Sequence, residues 1–179
     1  MNKQYYISEA KRSASIQINE LKKIKKIFNK SFIKAVDLIL NCKGKIIFAG
    51  IGKSGLIARK ISATFSSVGI PSFFCDPAQA LHGDMGQIEK KDILIIFSYS
   101  GNTSELTNMI KYANRYSIKI IGIASKPDSI LLKASDIKLI LPKVKESDVT
   151  GMVPTSSTSI TLLLGDCLAT TVMRQKKSY

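Results

Sequence analysis

Residues 46–55 read IIFAGIGKSG, an apolar run entering a turn built from Gly50, Gly52, Lys53, Ser54 and Gly55. The run has the β-branched content of a buried strand, and glycine turns of this kind cradle phosphates. Two nucleotide motifs overlap here. The Walker A loop needs a further glycine upstream of Gly52-Lys53-Ser54, where this chain has the apolar residues of the strand, so the ATP reading fails. Gly50-x-Gly52-x-x-Gly55 completes the dinucleotide fingerprint. The ribose-binding acid should follow about 20 residues on, but Asp76 is the first to appear, and Lys53 intrudes on the pyrophosphate path. NAD is therefore not expected. An opening helix near Ser54 still offers free N–H groups and positive dipole to an anion, and Lys53 adds a movable charge. The alternative is a glycine turn that only packs helix against sheet.

Outward from this turn, β-rich runs recur at 46–50, 71–74, 93–97, 118–123 and 137–140. Helical stretches are expected at 54–68, 77–81, 103–116, 129–134 and 157–174. Alternation at this spacing predicts a parallel sheet covered on both faces. The fold class expected is α/β, a three-layer α-β-α sandwich with a five-stranded parallel sheet. Residues 8–39 read as one long helical arm with an apolar stripe of Ala14, Ile18, Leu21, Phe28 and Phe32, with Ile24 and Ile27 beside them. That stripe must lie on the core or on a partner subunit. No linker or repeat divides the 179 residues, which read as one domain.

The formal charge is +14, and residues 1–45 supply +8 of it, with eleven Lys or Arg against three acids. A solvated lysine face accounts for this; aromatic residues are not interleaved with the basic run, so nucleic acid is not an expected partner. No apolar run reaches the length of a membrane span, and the N-terminus lacks a signal-peptide core. Cys42, Cys75 and Cys167 suggest neither a disulfide framework nor zinc, and the cytoplasm is the expected location.

A second polar loop follows the third strand: Ser98, Ser100, Gly101, Asn102, Thr103, Ser104 and Glu105. Helix capping explains part of this pattern but leaves Ser98 and Ser100 over. A third cluster, Thr155, Ser156, Ser157 and Thr158, precedes the last helix. In a parallel sheet such loops share one edge, and their hydroxyls suit a terminal phosphate. A small phosphorylated ligand is expected. His82, the only histidine, sits in the turn ALHGDMG at 80–86; it either moves protons or merely packs. Glu105 is either helix-start charge or a contact to the sugar end. Glu146 is either a solvated loop acid or a carboxylate brought to the same edge. No metal-ligand spacing and no nucleophile elbow occur, so acid–base proton transfer is the chemistry expected.

These residues resemble the sugar isomerase (SIS) domain of the arabinose 5-phosphate isomerases. The likeness is carried by GIGKSGLIARKISATF at 50–65, PAQALHGDMG at 77–86, SYSGNTSE at 98–105, the pair Lys145-Glu146, and PTSSTSITLLLGDCLA at 154–169. The resemblance implies reversible conversion of ribulose 5-phosphate and arabinose 5-phosphate, feeding lipopolysaccharide or capsule synthesis. It also implies no organic cofactor and a homotetramer with sites near subunit boundaries. The family's catalytic lysine, histidine and two glutamates fall on Lys53, His82, Glu105 and Glu146. Its phosphate and substrate contacts fall on Gly52, Ser54, Ser98, Ser100, Thr103, Ser156, Ser157 and Thr158. Glu146 is the first candidate for the carbon base and His82 the second. Full-length relatives continue into paired CBS modules, and many carry a further histidine in an S-H-P-G-G stretch beyond the last helix. This sequence ends at RQKKSY, 174–179, so the expectation is a shortened form or chemistry with one histidine. The alternatives are a 3-hexulose-6-phosphate isomerase and a sugar-phosphate sensor without turnover.

Overall fold

The computed structural model describes residues 3–176; the outermost parts of the 1–179 domain reading, 1–2 and 177–179, lie outside the described residues. Strands β1 (Ile46–Gly50), β2 (Ser72–Phe74), β3 (Ile93–Phe97), β4 (Lys119–Ala124) and β5 (Ile137–Ile140) form one sheet in the order β2-β1-β3-β4-β5. Every pairing is parallel, with Ile46 opposite Ile93 and Ile93 opposite Lys119. All five residues of β1 and of β3 are buried, as continuous apolar strands covered from both sides must be. The expected strands are found within about a residue, and the three-layer α/β reading holds.

Because side chains alternate across a strand, the sheet divides its core in two. Ile46, Phe48, Ile95, Phe97 and Ile123 point to one face, under helices α2 (Lys30–Leu40), α3 (Gly52–Ser67) and α6 (Ser156–Lys176). Ile47, Ala49, Leu94, Ile96 and Ile120 point to the other, under α4 (Leu106–Arg115) and α5 (Ile130–Ala134). Phe48 sits between Phe65 of α3 and Phe97 of β3, with ring centroids at 5.0 and 6.2 Å. No helix among the described residues is long and apolar enough to cross a membrane.

The arm departs from expectation. It is not one helix over 8–39 but α1 (Gln4–Leu21), a 3-10 segment (Lys22–Ile27) and then α2. In a 3-10 helix residues i and i+3 share a face, so Ile24 and Ile27 are both buried while lysines occupy the places between and before them. Phe28 then leaves helical geometry, and the Asn29 side chain accepts from Ser31 N–H at 2.8 Å to start α2. The apolar stripe is only partly used. Leu21 and Phe32 pack against the core, but Ile18 and Phe28 are exposed and α1 buries no residue.

Gly101, in the loop after β3, has φ +70°, and a Cβ there would stand 2.2 Å from Ser129 Oγ. Left-handed strain costs about 1–3 kcal/mol, and overpacking adds about the same. Gly101→Ala is expected to lower the unfolding free energy by about 2–6 kcal/mol, read as an earlier urea midpoint. An unchanged midpoint would show that the loop has another way to turn.

Candidate functional site

The crossovers after β1 and β3 leave the sheet on opposite faces: α3 packs with Phe48 and Phe97, and α4 with Leu94 and Ile96. Where neighbouring connections part in this way, a crevice opens beyond the strand ends. Here it is an open cavity of about 520 Å³, within the range of small-molecule sites.

Four segments line it. The start of α3 gives Ile51, Lys53, Ser54 and Ile57; the loop after β3 gives Ser98, Tyr99, Ser100 and Thr103. The connection from β5 to α6 gives Val144, Glu146, Gly151, Met152 and Pro154, and the first turns of α6 give Ser157, Thr158 and Thr161. Lys53, Ser54, Ser98, Ser100, Thr103, Glu146, Ser157 and Thr158 are thus brought to one hollow, as their strand-end positions suggested.

The other four expected site residues lie outside the lining. Gly52, with φ +57°, borders a neighbouring hollow with Leu56 and Arg59. Ser156 is wholly buried, and its hydroxyl has no hydrogen-bond partner among the described residues. His82 ends an exposed 3-10 turn (Ala80–His82) whose Ala80 packs into the core on the α4 face. Glu105 stands at the N-cap of α4, exposed, and accepts from Ser104 Oγ at 2.8 Å. Its own backbone N–H and Ser104 hold its carboxyl below the ordinary range.

The hydroxyls after β3 organise one another. Ser98 and Thr103 share a hydrogen bond of 2.9 Å; Ser98 Oγ accepts from Gly101 N–H at 3.1 Å and Ser100 Oγ from Asn102 N–H at 3.3 Å. The two helix starts differ. The cap residue of α3, Ile51, has no side-chain acceptor for the first turn, and Lys53 forms no ion pair with any described residue. At α6, Glu146 Oε2 accepts from Thr155 N–H (2.7 Å), Thr155 Oγ1 (2.9 Å) and Ser157 N–H (3.2 Å). A carboxylate therefore already fills the place an anion would take there.

Burial is the largest influence on Glu146 and pushes its carboxyl up, but the donors on Ser157 and Thr155 together outweigh it and hold the group below the ordinary carboxylate range. The lowered value means that this interaction adds stability above the ordinary carboxylate pKa and loses it as pH falls through the lowered one. Tyr99, missed in the sequence although it stands between Ser98 and Ser100, ties the connection after β5. Its hydroxyl donates to Pro142 O at 3.2 Å and accepts from Val144 N–H at 3.0 Å. Burial pushes the phenol up, so it stays neutral. Asp148 was missed as well. Its carboxylate accepts from the N–H groups of Thr150, Met152 and Val153, shaping the turn that brings Gly151 and Met152 over the cavity. Outside the cavity, burial pushes the Cys75 thiol up to about 11, so it is no nucleophile at neutral pH. Among the described residues no group of three or more His, Cys, Asp or Glu is placed to hold a metal ion.

Known proteins share this sequence pattern and fold. The chain is 42% identical over 176 residues to RP505, an uncharacterized protein of Rickettsia prowazekii (strain Madrid E), over 98% of this chain and 55% of that protein. It is 39% identical over 166 residues to arabinose 5-phosphate isomerase KdsD of Escherichia coli (strain K12), over 93% of this chain and 51% of that enzyme. It therefore spans about half the length of the curated relatives it matches. Among solved structures, E. coli CFT073 c3406 in complex with arabinose 5-phosphate shares the fold with a TM-score of 0.96 at 31% identity, over 100% of this chain and 95% of that one. A model of the family described as SIS domain matches residues 39–171. The matched stretch takes in every loop that lines the cavity, and the chain belongs to the SIS domain family.

Proposed function

We propose that this chain is an aldose–ketose isomerase that interconverts ribulose 5-phosphate and arabinose 5-phosphate in the cavity between β1 and β3. The observation that carries this is the meeting of an unpaired lysine, a hydroxyl loop and a tethered carboxylate in one hollow of sugar-phosphate size. The similarity to KdsD and to the arabinose 5-phosphate complex supports the same substrate class.

The phosphate is assigned to the open start of α3 and the hydroxyls of Ser98, Ser100 and Thr103, since Glu146 occupies the start of α6. In the ketose-to-aldose direction a base takes a proton from C1, the electron pair forms a C1–C2 double bond, and the C2 oxygen becomes an enediolate. Lys53 steadies that oxygen, a proton passes between O1 and O2, and delivery of a proton to C2 completes the aldose. Glu146 is the carbon base in this scheme: it is ionised at neutral pH, as a proton acceptor must be, and it faces the cavity. Ser157 and Thr158 flank the sugar.

His82 and Glu105, outside the single-chain lining, are assigned to oxygen-proton transfer and to a sugar hydroxyl at a boundary between copies of a homotetramer. Exposed Tyr5, Tyr6, Ile7 and Ile18 on α1 support such assembly. The reaction needs no organic cofactor, and a cytoplasmic setting suits a free sugar phosphate.

The 179-residue chain is expected to convert arabinose 5-phosphate and ribulose 5-phosphate in both directions. Turnover of 3-hexulose 6-phosphate instead would reassign the substrate, and saturable binding without turnover would make the chain a sensor. In deuterated solvent, Glu146→Gln is expected to slow exchange at the reacting carbon by about 100-fold or more, and His82→Asn to slow it less. Wild-type exchange in the Glu146 variant would remove that residue as the base.

A further inference from the structure

The helix α1 buries no residue fully and packs Leu21, at its end, against the core, so apolar packing alone does not explain why it lies along α6. Its polar residues instead converge on the segment that carries Glu146. On one side of Glu146, the Lys145 N–H is held by Glu20 Oε2 at 3.0 Å. On the other, Ser147 O accepts from Arg12 at 3.1 Å and Ser147 Oγ accepts from Ser13 at 2.8 Å and Gln17 at 3.4 Å. The residues before and after Glu146 are thus both fastened to α1.

The hydroxyls also run in one direction. Ser13 donates to Ser147 Oγ (2.8 Å), Ser147 donates to Thr155 Oγ1 (3.1 Å), and Thr155 donates to Glu146 Oε2 (2.9 Å). Ser147 is 2% exposed, and its N–H also donates to Thr155 Oγ1 at 2.9 Å. A chain of donors pointing one way polarises each successive hydroxyl and strengthens the last bond, here the one to a carboxylate.

We propose that Ser13, Ser147 and Thr155 form a hydroxyl relay from α1 that positions and polarises the Glu146 carboxylate at the edge of the cavity. The inference rests on Glu146 as the proton-transfer group of the proposed isomerase. These three are positioning residues: they act through Glu146 and do not line the cavity. Removing a donor from a carboxylate favours its protonated form, so loss of the relay raises the pH at which Glu146 takes up its proton. The other charged or titratable groups around it are Lys53 on α3, Tyr99 after β3, and Arg12, Glu20 and Lys23 on the arm beside Lys145. None of them is altered in the test.

The test titrates the carboxyl of Glu146 by NMR in ¹³C-glutamate-labelled protein, the signal being assigned by its absence in Glu146→Gln. Thr155→Val is expected to move the midpoint upward and, because the carboxylate loses the bond that orients it, to lower kcat about tenfold with KM little changed. Thr155→Ser restores both. Ser147→Ala and Ser13→Ala give the same upward shift, smaller with each step from the carboxylate; Ser13, half-buried on α1, is the variant least able to disturb folding. A Glu146 midpoint that stays at the wild-type value in both Ser13→Ala and Thr155→Val overturns the relay, whatever kcat does. Absence of turnover in the wild-type chain would refute the isomerase reading alone, because the titration reads the relay without substrate.

Discussion

The contact between Gly55 and the carbonyl of Gly50 sets where α3 leaves the sheet. A Cβ on Gly55 would come within 2.7 Å of that oxygen, and one on Gly50 within 2.9 Å of the Ser54 backbone. With both side chains absent, the first turn of α3 can sit directly over the end of β1. That placement points the start of the helix, with Lys53 and Ser54, into the gap left as the chain after β3 turns to the opposite face. The glycine pattern that resembles a dinucleotide fingerprint is therefore, in this fold, a packing device first. Its consequence is an open helix start at the cavity, so packing and anion binding do not compete for the same turn.

Two helix starts reach the same hollow and are used differently. At α6 two N–H groups and one hydroxyl are taken up by Glu146, which gains three hydrogen bonds to one oxygen and remains ionised. At α3 no side-chain acceptor from the cap residue intervenes. One start thus holds the protein's own anion, and the other is the one the proposed function gives to the phosphate. The hydroxyl loop after β3 stands between them, shaped by Gly101 and by the bond between Ser98 and Thr103.

The sheet was legible because IIFAG and ILIIF are continuous apolar runs that only a doubly covered strand can bury. Their loops were legible as site-forming for the same reason, since parallel strands end on one edge. The continuous arm was misread because helical periodicity scarcely separates α from 3-10 geometry over six residues; Asn29, a capping residue ahead of Ser31, was the available sign of a new helix. His82 and Glu105 share the edge-loop character of the cavity residues, yet one sits on a turn packed toward the α4 face and the other points to solvent. Loop position in the sequence does not encode that direction. Ser147 escaped notice, and Thr155 was read only as one of a hydroxyl cluster, because their importance lies in a chain of partners that leads to α1, more than a hundred residues away, which no local pattern reveals.

A carboxylate beside the proposed phosphate site looks unfavourable, since two unit charges 4 Å apart repel by about 4 kcal/mol at an effective dielectric of 20. The arrangement of Glu146 reduces that conflict before any ligand arrives. Its charge rests against the N-terminal dipole of α6 and is spread over donors from Thr155 and Ser157, so part of its field is already directed inward. Lys53, with no ion pair of its own among the described residues, stands free to screen what remains. A group so held is a weak base in water, yet a sugar C–H adjacent to a carbonyl becomes acidic enough to meet it when the developing oxyanion is stabilised nearby. The tethering that depresses proton affinity is thus also what allows an anion to share the cavity. The two demands are reconciled by placing a lysine, and not a second carboxylate, in the same cavity as the glutamate.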